Sequence, residues 1–349
     1  MDLINDLLNS FLPSIAISAL HSFFPFYLII KLFSYILSAF YSEDVAGKVV
    51  VVAGASSGIG EHVAYEYAIR GAYLVLAARR EKSLRQVADV AILMGSPGVI
   101  SVPTDLSKVE DCDRLINEAI KQFGRVDHLV NCAGVTPVCL FDEIPDMTKV
   151  AQVTDTNFWG YVYTTRFAIP HLKKTKGKII VIASSASWLN VPRMSLYIAS
   201  KAAVVSFYET LRVEVGSDIG ITIVNPGLIE SEMTKGKFMD ENGHMIVDQD
   251  LRDVEMSIVP VEEVTKGAKS IVNSACRGDR YLVEPPWMVT TFVLKVFISE
   301  VLEWANRIFL LTRPGVPRTE ALSKKILDVS GLKQCVYPES LLTPDIKRD

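Results

Sequence analysis

The chain has 349 residues, of which 49% are hydrophobic and 22% charged, a composition that excludes a disordered or low-complexity protein. Lys and Arg total 36 against 40 for Asp and Glu, a formal net charge of −4, so no basic surface for nucleic acid is expected. The five cysteines form no CxxC pair, so neither a metal site nor a disulfide framework is predicted, and a reducing compartment is favoured.

The N-terminus is strongly apolar. Residues 7–30 hold no charged side chain, and as a helix they would span about 36 Å, enough to cross a bilayer core. A cleaved signal peptide is disfavoured because the stretch is too long and begins with acidic residues. Residues 1–42 are therefore predicted to be a hydrophobic anchor. Pro13 and Pro25 leave two arrangements open: a transmembrane helix that tolerates both, or a segment that bends back within one monolayer.

From residue 43 onward, short β-branched runs alternate with longer helical stretches. This alternation predicts an α/β fold, a Rossmann-type doubly wound parallel sheet of about seven strands, over residues 43–286. The predicted strands are Lys48–Ala53, Tyr73–Ala78, Val99–Thr104, His128–Asn131, Lys178–Ala183, Ile221–Val224 and Tyr281–Val283. The main predicted helices are Lys108–Phe123, Thr156–Lys174, Leu196–Val215 and Val261–Cys276.

A glycine-rich turn (residues 54–60, the glycine turn) lies between the first strand and a helix. Glycines there let the backbone approach a pyrophosphate, whose charge the helix N-terminus stabilises. The residues expected to hold it are Gly54, Ser56, Ser57, Gly58, Ile59 and Gly60. The turn also satisfies G-x-S-x-G, with Ser56 as the nucleophile of a serine lipid hydrolase. That alternative is disfavoured because a nucleophile elbow needs earlier strands, and only the anchor precedes this turn.

The end of the second strand indicates the choice of nucleotide. Arg79 and Arg80 stand where an acidic residue would accept the ribose hydroxyls of NAD, and guanidinium groups suit a 2′-phosphate. A charge-assisted contact contributes about 1.5–3 kcal/mol, so NADP(H) is the predicted cofactor. The alternative is that both arginines are solvated. Asp105 ends the third strand and is expected either to meet the adenine amino group or to begin the next helix.

Two side chains one helical turn apart are candidates for proton transfer. Tyr197 and Lys201 share one face of a predicted helix, and a cation about 4–6 Å from a phenol favours the phenolate. An oxidised nicotinamide adds a second positive charge, so Tyr197 is expected to exchange a proton with a carbinol or carbonyl oxygen. Ser184 is expected to bind the substrate oxygen, with Ser185 as the alternative. A solvated helix face and turn-capping serines are the non-catalytic interpretations.

These motifs together resemble those of the short-chain dehydrogenases/reductases, in order over residues 47–227. The resemblance implies that Asn157 holds a water linking Lys201 to bulk solvent and that Lys201 also binds the nicotinamide ribose. It further places at the cofactor the residues Asn131, Ala133, Gly134, Pro226 and Gly227. Two departures, Ala53 for the usual Thr and Cys132 for the usual second Asn, affect structural hydrogen bonds.

Over its whole length the chain is similar to the plant oil-body hydroxysteroid dehydrogenases, the steroleosins. Pro13 and Pro25 match the first spacing of their proline knob, while Ile29 stands in place of its third proline. The resemblance implies an NADP-dependent oxidoreductase that interconverts a hydroxyl and a ketone on a steroid-like lipid. It also implies a lipid-droplet location, reached through the endoplasmic-reticulum membrane, with the catalytic domain in the cytosol. A structural or sterol-binding droplet-coat protein with little turnover is the alternative.

Two segments follow the sixth strand. Residues 227–259 are polar without a strong period, and we interpret them as a substrate lid (the lid). Residues 287–349 are predicted to be an amphipathic C-terminal segment and tail. Their apolar stretch is expected either to lie on lipid or enclose a sterol, or to serve as a core or homodimer helix.

Overall fold

A computed structural model describes residues 2–40 and 42–342, which fall into two compact units divided after Glu43. Met1 and Tyr41 of the predicted anchor, and residues 343–349 of the predicted tail, lie outside the described residues.

The first unit is a single helix, α1 (Asp2–Phe40), which runs through both Pro13 and Pro25. Its 39 residues correspond to about 58 Å, and its large apolar side chains are exposed. Among the described residues, this helix alone is long and apolar enough to cross a membrane, judged by length and composition. Both prolines therefore lie within one continuous helix, and the choice between a spanning and a bent-back arrangement in lipid stays a prediction.

The second unit is built on a parallel sheet. Within the described residues its strands are β1 (Val49–Ala53), β2 (Tyr73–Ala78), β3 (Val99–Pro103), β4 (His128–Asn131), β5 (Lys178–Ile182), β6 (Gly220–Pro226), β7 (Lys237–Met239), β8 (Met245–Val247) and β9 (Tyr281–Glu284). Seven of these described strands form one sheet in the order β3-β2-β1-β4-β5-β6-β9, all parallel, while β7 and β8 pair as a separate antiparallel hairpin.

Helices cover both faces of the sheet. Those of the second unit are α2 (Gly58–Ile69), α3 (Glu81–Leu93), α4 (Val109–Phe123), α5 (Met147–Val150), α6 (Gln152–Thr154), α7 (Gly160–Thr175), α8 (Ser195–Val215), α9 (Gln249–Met256), α10 (Val264–Arg277), α11 (Val289–Phe297), α12 (Ser299–Leu310), α13 (Leu322–Ser330), α14 (Lys333–Val336) and α15 (Glu339–Leu342). Val50 and Val52 of β1 pack toward α2, α3 and α10, whereas Val49 and Val51 pack toward α4, α7 and α8. Alternate side chains of each strand thus enter different cores, which is why these strands are apolar throughout. The predicted doubly wound fold is confirmed.

The boundaries differ from the predictions where tertiary contacts act. The sixth strand is longer than predicted because it pairs with β9 as far as Pro226. The helix predicted from Thr156 begins as a π-helical turn, Asp155–Trp159, before α7. The lid, which shows no strong period, contains the β7–β8 hairpin and α9. Its strands are three residues each, too short for an alternating pattern to identify them.

The C-terminal tail packs against the lid. Met256 and Val261 share a hydrophobic cluster with Tyr337 and Leu341. The buried Arg252 of α9 donates from Nη1 to the carbonyl of Leu341 at 3.2 Å. The lid helix is therefore held between the sheet domain and α13–α15.

Candidate active site

The glycine turn and the loop after β4 meet where the strand order reverses direction. In open α/β sheets, ligands bind at this point, beyond the carboxyl ends of the strands. Gly54 has φ +97°, and a Cβ on it would lie 2.4 Å from the amide nitrogen of Ala133. A Cβ on Gly60 would lie 2.1 Å from the carbonyl oxygen of Gly54. Only glycine fits either position, so the turn lies directly against the loop that carries Ala133.

The surroundings of the turn fit a dinucleotide. The amides of Gly58, Ile59 and Gly60 begin α2, and the first-turn amides of a helix have no partner within it, so they favour an anion. At the other end, a Cβ on Gly134 would lie 3.7 Å from both Asn157 Oδ1 and Lys201 Nζ. Glycines therefore expose the backbone both at the start of α2 and beside the buried ammonium of Lys201.

The two arginines after β2 are placed differently. Arg79 is exposed, whereas Arg80 points back to the glycine turn. Its Nη2 donates to Ser57 Oγ at 2.8 Å and to Ser56 Oγ at 3.2 Å. Arg80 also pairs with Glu232 of the lid, with Nη1 2.7 Å from Oε1. The structure therefore brings one of the two predicted cations to the turn and leaves the other in solvent.

Asp105 organises the turn that follows β3. Its Oδ1 accepts hydrogen bonds from the amide of Ser107 at 3.2 Å and from the hydroxyl of Ser107 at 2.8 Å. The amide of Asp105 donates to Asp111 Oδ2 at 2.8 Å. These bonds match the expected role before a helix, and the adenine contact remains a prediction.

Tyr197, Lys201 and Ser184 come together at the ends of β5 and α8. Ser184 follows β5, and its side chain lies near enough to Tyr197 of α8 to lower the pKa of that phenol. Ser185, the alternative, is buried in the 3₁₀ turn that Ser184 caps. Lys201 Nζ lies 5.9 Å from the centre of the Tyr197 ring and donates to the carbonyl of Ile182 at 2.8 Å. The geometry therefore favours Ser184 over Ser185 as the hydroxyl that faces Tyr197.

Burial shifts the pKa of both titrating side chains. It raises the pKa of Tyr197, while the nearby hydroxyl of Ser184 opposes the rise. It lowers the pKa of Lys201 to about 8. Lost solvation is thus the largest influence on the pKa of Tyr197 among the protein groups. The expectation that Lys201 and an oxidised nicotinamide together favour the phenolate stays a prediction.

Asn157 is held inside the π-helical turn before α7. Its Oδ1 accepts from the amide of Val135 at 2.9 Å, and its Nδ2 donates to the Val135 carbonyl at 2.9 Å and to Ser200 Oγ at 3.1 Å. Ser200 in turn donates to the carbonyl of Tyr197 at 2.7 Å. Asn157 thus ties the loop after β4 to the helix that carries Tyr197 and Lys201.

Tyr161 is a site residue that the sequence analysis missed. Its hydroxyl donates to the carbonyl of Ala133 at 2.7 Å and accepts from Lys201 Nζ at 3.3 Å. Burial raises its pKa well above that of an ordinary tyrosine, so it stays neutral. The available signal was its position four residues after Asn157, which places both on the same helical face.

The remaining predicted residues border the site or support it. Asn131 is fully buried, and its amide bonds Tyr208 at 3.0 Å and Thr165 at 3.2 Å, so its side chain joins β4 to α7 and α8. Pro226 ends β6, and the amide of Gly227 donates to the carbonyl of Glu284 at 2.7 Å. Burial raises the pKa of the Cys132 thiol to about 12, so it is neutral beside Lys201.

Among the described residues, no group of three or more His, Cys, Asp or Glu could hold a metal ion.

The sequence is similar to a known family and to named relatives. Residues 48–242 match the family profile of short chain dehydrogenases. The chain is 55% identical to 11-beta-hydroxysteroid dehydrogenase A of Arachis hypogaea and 52% identical to that of Sesamum indicum, over 349 residues and the full length of both chains in each case. It is 50% identical, also over the full length of both chains, to 11-beta-hydroxysteroid dehydrogenase 1A of Arabidopsis thaliana.

One solved structure shares the fold. It is an alcohol dehydrogenase from the archaeon Thermococcus sibiricus, complexed with 5-hydroxy-NADP. The two chains superpose with a TM-score of 0.54 at 23% identity, and the match covers 68% of this chain and 95% of the other. At this identity the likeness shows the fold alone.

Proposed function

The chain belongs to the short chain dehydrogenase family, with relatives of the plant 11-beta-hydroxysteroid dehydrogenase type, and we propose that it is an NADP-dependent hydroxysteroid dehydrogenase at a lipid surface. Family membership makes it an oxidoreductase that acts on CH–OH groups with a nicotinamide cofactor. The proposed dehydrogenase activity rests on one observation: Ser184, Tyr197 and Lys201 lie close together, beside the exposed backbone of Gly134.

Each residue of this group has a chemical task. The bound nicotinamide supplies the two-electron chemistry at the carbinol carbon. The hydroxyl of Ser184 orients the substrate oxygen toward Tyr197, whose phenol gives or takes the proton on that oxygen. Lys201 has a pKa of about 8, so at neutral pH it carries a positive charge that stabilises the phenolate. Asn157 fixes the helix that presents this pair and is proposed to hold the water that leads to bulk solvent.

NADP(H) is proposed over NAD(H) because of the arginines. Arg80 stands 2.8 Å from Ser57 Oγ, so a phosphate bound at this turn would meet a fixed cation together with hydroxyl donors. Arg79, exposed next to it, is free to approach the same phosphate. The same contact argues against a serine hydrolase, since the hydroxyl of Ser56 accepts from a guanidinium, which cannot act as a base.

A lipid surface is the proposed location. The large apolar side chains of α1 are exposed over a length that exceeds a bilayer core.

A second apolar face lies on α11 and α12, where Phe297 is 79% and Trp304 64% exposed. We assign it to lipid. Phe297→Glu and Trp304→Glu should then weaken retention on droplets, whereas a smaller oligomer with unchanged retention would assign the face to a homodimer.

The proposed activity is tested with the full-length protein in detergent. A panel of hydroxysteroids and ketosteroids is offered with NADP⁺, NAD⁺ and their reduced forms, and turnover is followed by nicotinamide absorbance. We expect NADP(H)-dependent turnover of at least one steroid and none in the Tyr197→Phe variant. Nucleotide binding without turnover of any member would favour the coat protein, and turnover that prefers NAD(H) would refute the cofactor assignment.

A further inference from the structure

The lid carries a carboxylate that binds the arginine assigned to the cofactor phosphate. Arg80 uses both terminal nitrogens on Glu232, with Nη1 2.7 Å from Oε1 and Nη2 2.9 Å from Oε2. The two side chains come from positions 152 residues apart and are only 18% and 17% exposed. This is the planar, two-point geometry in which a guanidinium binds a carboxylate or a phosphate.

The position of Glu232 is fixed by its own backbone. Its carbonyl accepts from the amides of Lys235 at 3.2 Å and Lys237 at 3.0 Å, which closes a tight turn. The same segment lies against the glycine turn, since a Cβ on Gly58 would be 3.1 Å from the Cβ of Ser231. The carboxylate is therefore held at the glycine turn by the lid's own structure.

The pair sits where two anions would compete for one cation. Nη2 of Arg80 contacts Ser56 and Ser57 at the same time as Glu232, so the guanidinium faces the turn and the lid together. A 2′-phosphate that bound both terminal nitrogens of Arg80 in the same way would lie beside the negative charge of Glu232. Like charges at this distance repel, and the partial burial of the site limits screening.

We propose that Glu232 is an internal anion that occupies Arg80 in place of the 2′-phosphate and so sets the affinity and selectivity for NADP(H). This inference rests on the proposed use of NADP(H). Binding of the 2′-phosphate releases Glu232 from Arg80 and loosens the lid at its attachment to the glycine turn, so cofactor binding and lid position are coupled. Glu232 thus acts on specificity through Arg80 and takes no part in the chemical step.

The test is nucleotide binding to the full-length protein in detergent, measured by calorimetry with NADPH and NADH at fixed ionic strength. Glu232→Gln keeps the shape of the side chain and removes its charge. We expect it to tighten NADPH about threefold to tenfold and to change NADH less than about twofold. Glu232 Oε2 also lies 3.6 Å from Lys237 Nζ, so Arg80 is not its sole cation. In an Arg80→Ala background the same change should therefore tighten NADPH by less than about twofold, because the partner shared with the phosphate is gone and Lys237 remains.

Glu230→Gln is the matched control. Glu230 lies on the same lid segment, is also 17% exposed, and pairs with Lys235 at 3.4 Å instead of Arg80. It should leave both affinities unchanged. An unchanged or weaker NADPH affinity in Glu232→Gln overturns the inference, and so does equal tightening of NADPH and NADH. If instead Arg80→Ala leaves NADPH binding intact, the proposed phosphate site itself is wrong.

Discussion

The ammonium of Lys201 lies 3.3 Å from the hydroxyl oxygen of Tyr161 and 5.0 Å from the centre of its ring. Both side chains are buried, and the Tyr161 proton is directed to the carbonyl of Ala133. Tyr161 therefore offers Lys201 a lone pair and a π face, two contacts that favour the charged form of the amine. We therefore propose Tyr161 as a positioning residue for Lys201 and Tyr197, the pair proposed to move the proton.

Tyr161→Phe should lower kcat and change its pH dependence. Without the hydroxyl, Lys201 loses an acceptor, so its pKa falls below about 8 and the high-pH limb of kcat moves down by about half a pH unit or more. Tyr208→Phe is the control, since that buried hydroxyl bonds Asn131 at 3.0 Å and is not a partner of Lys201. Equal pH profiles for both variants would show that Tyr161 acts only through packing.

Ser184→Ala and Ser185→Ala should separate the two neighbouring hydroxyls. Loss of Ser184 removes the hydroxyl beside Tyr197 that we propose orients the substrate oxygen, so kcat should fall about 10- to 1,000-fold. Loss of Ser185 should cost less than about threefold in kcat, with its effect mainly on thermal stability. A larger loss of kcat in Ser185→Ala would reverse the assignment.

Lys201→Met should abolish turnover yet stabilise the fold at neutral pH. Burial lowers the pKa of Lys201 from 10.5 to about 8, so below pH 8 the folded protein holds a charge that it solvates poorly. Removing that charge should raise the free energy of unfolding by about 1–3 kcal/mol at pH 7. Between pH 8 and 10.5 the folded wild type loses the proton that its unfolded chain retains, so wild-type stability rises and the variant's advantage shrinks.

The measurement is the melting temperature of both proteins from pH 6 to pH 10. Lys201→Arg supplies the control, because a guanidinium stays charged throughout that range and should lose stability relative to wild type above pH 8. A gain in Lys201→Met that is the same at every pH would contradict the assigned cause.

Arg79→Ala and Arg80→Ala should each lower the ratio of kcat/KM for NADP⁺ to that for NAD⁺. The loss should be larger for Arg80, about tenfold or more, because that side chain is already fixed at Ser57. Arg85→Ala removes an exposed arginine of α3 that pairs with Glu81, and it should leave the ratio unchanged. If neither Arg79→Ala nor Arg80→Ala changes the ratio of kcat/KM values, the 2′-phosphate of NADP⁺ binds at another position.

Leu20→Asp with Phe23→Asp should release the protein from lipid. Both side chains are exposed on α1, and a carboxylate near the centre of a spanning helix costs about 2.5–3.5 kcal/mol. Flotation with lipid vesicles or isolated droplets measures the fraction bound. Leu93→Asp, at a leucine of α3 that is more exposed than either test residue, should leave that fraction unchanged. Full retention of the double variant would mean that α1 is not the principal lipid contact.

The sheet could be predicted from local sequence because its signals are local. β1 and β2 are short runs of apolar residues that are buried on both faces, and the glycine turn follows β1 directly. Tyr197 and Lys201 are also only one helical turn apart, so their position on one helix face can be predicted from local sequence. The lid was not readable in this way, since β7 and β8 owe their pairing to each other and α9 owes its burial to the tail.

The sequence by itself determined the long apolar N-terminal helix, the doubly wound sheet, the glycine turn and the tyrosine–lysine pair, because each depends on neighbours a few positions away along the chain. Only the tertiary structure decided that Tyr161 contacts Lys201, that Ser184 lies beside Tyr197, and that Glu232 pairs with Arg80. Those contacts join residues that are 13 to 152 positions apart. Which side chains meet over such separations depends on how the strands pair and where the helices pack, and no local pattern contains that information.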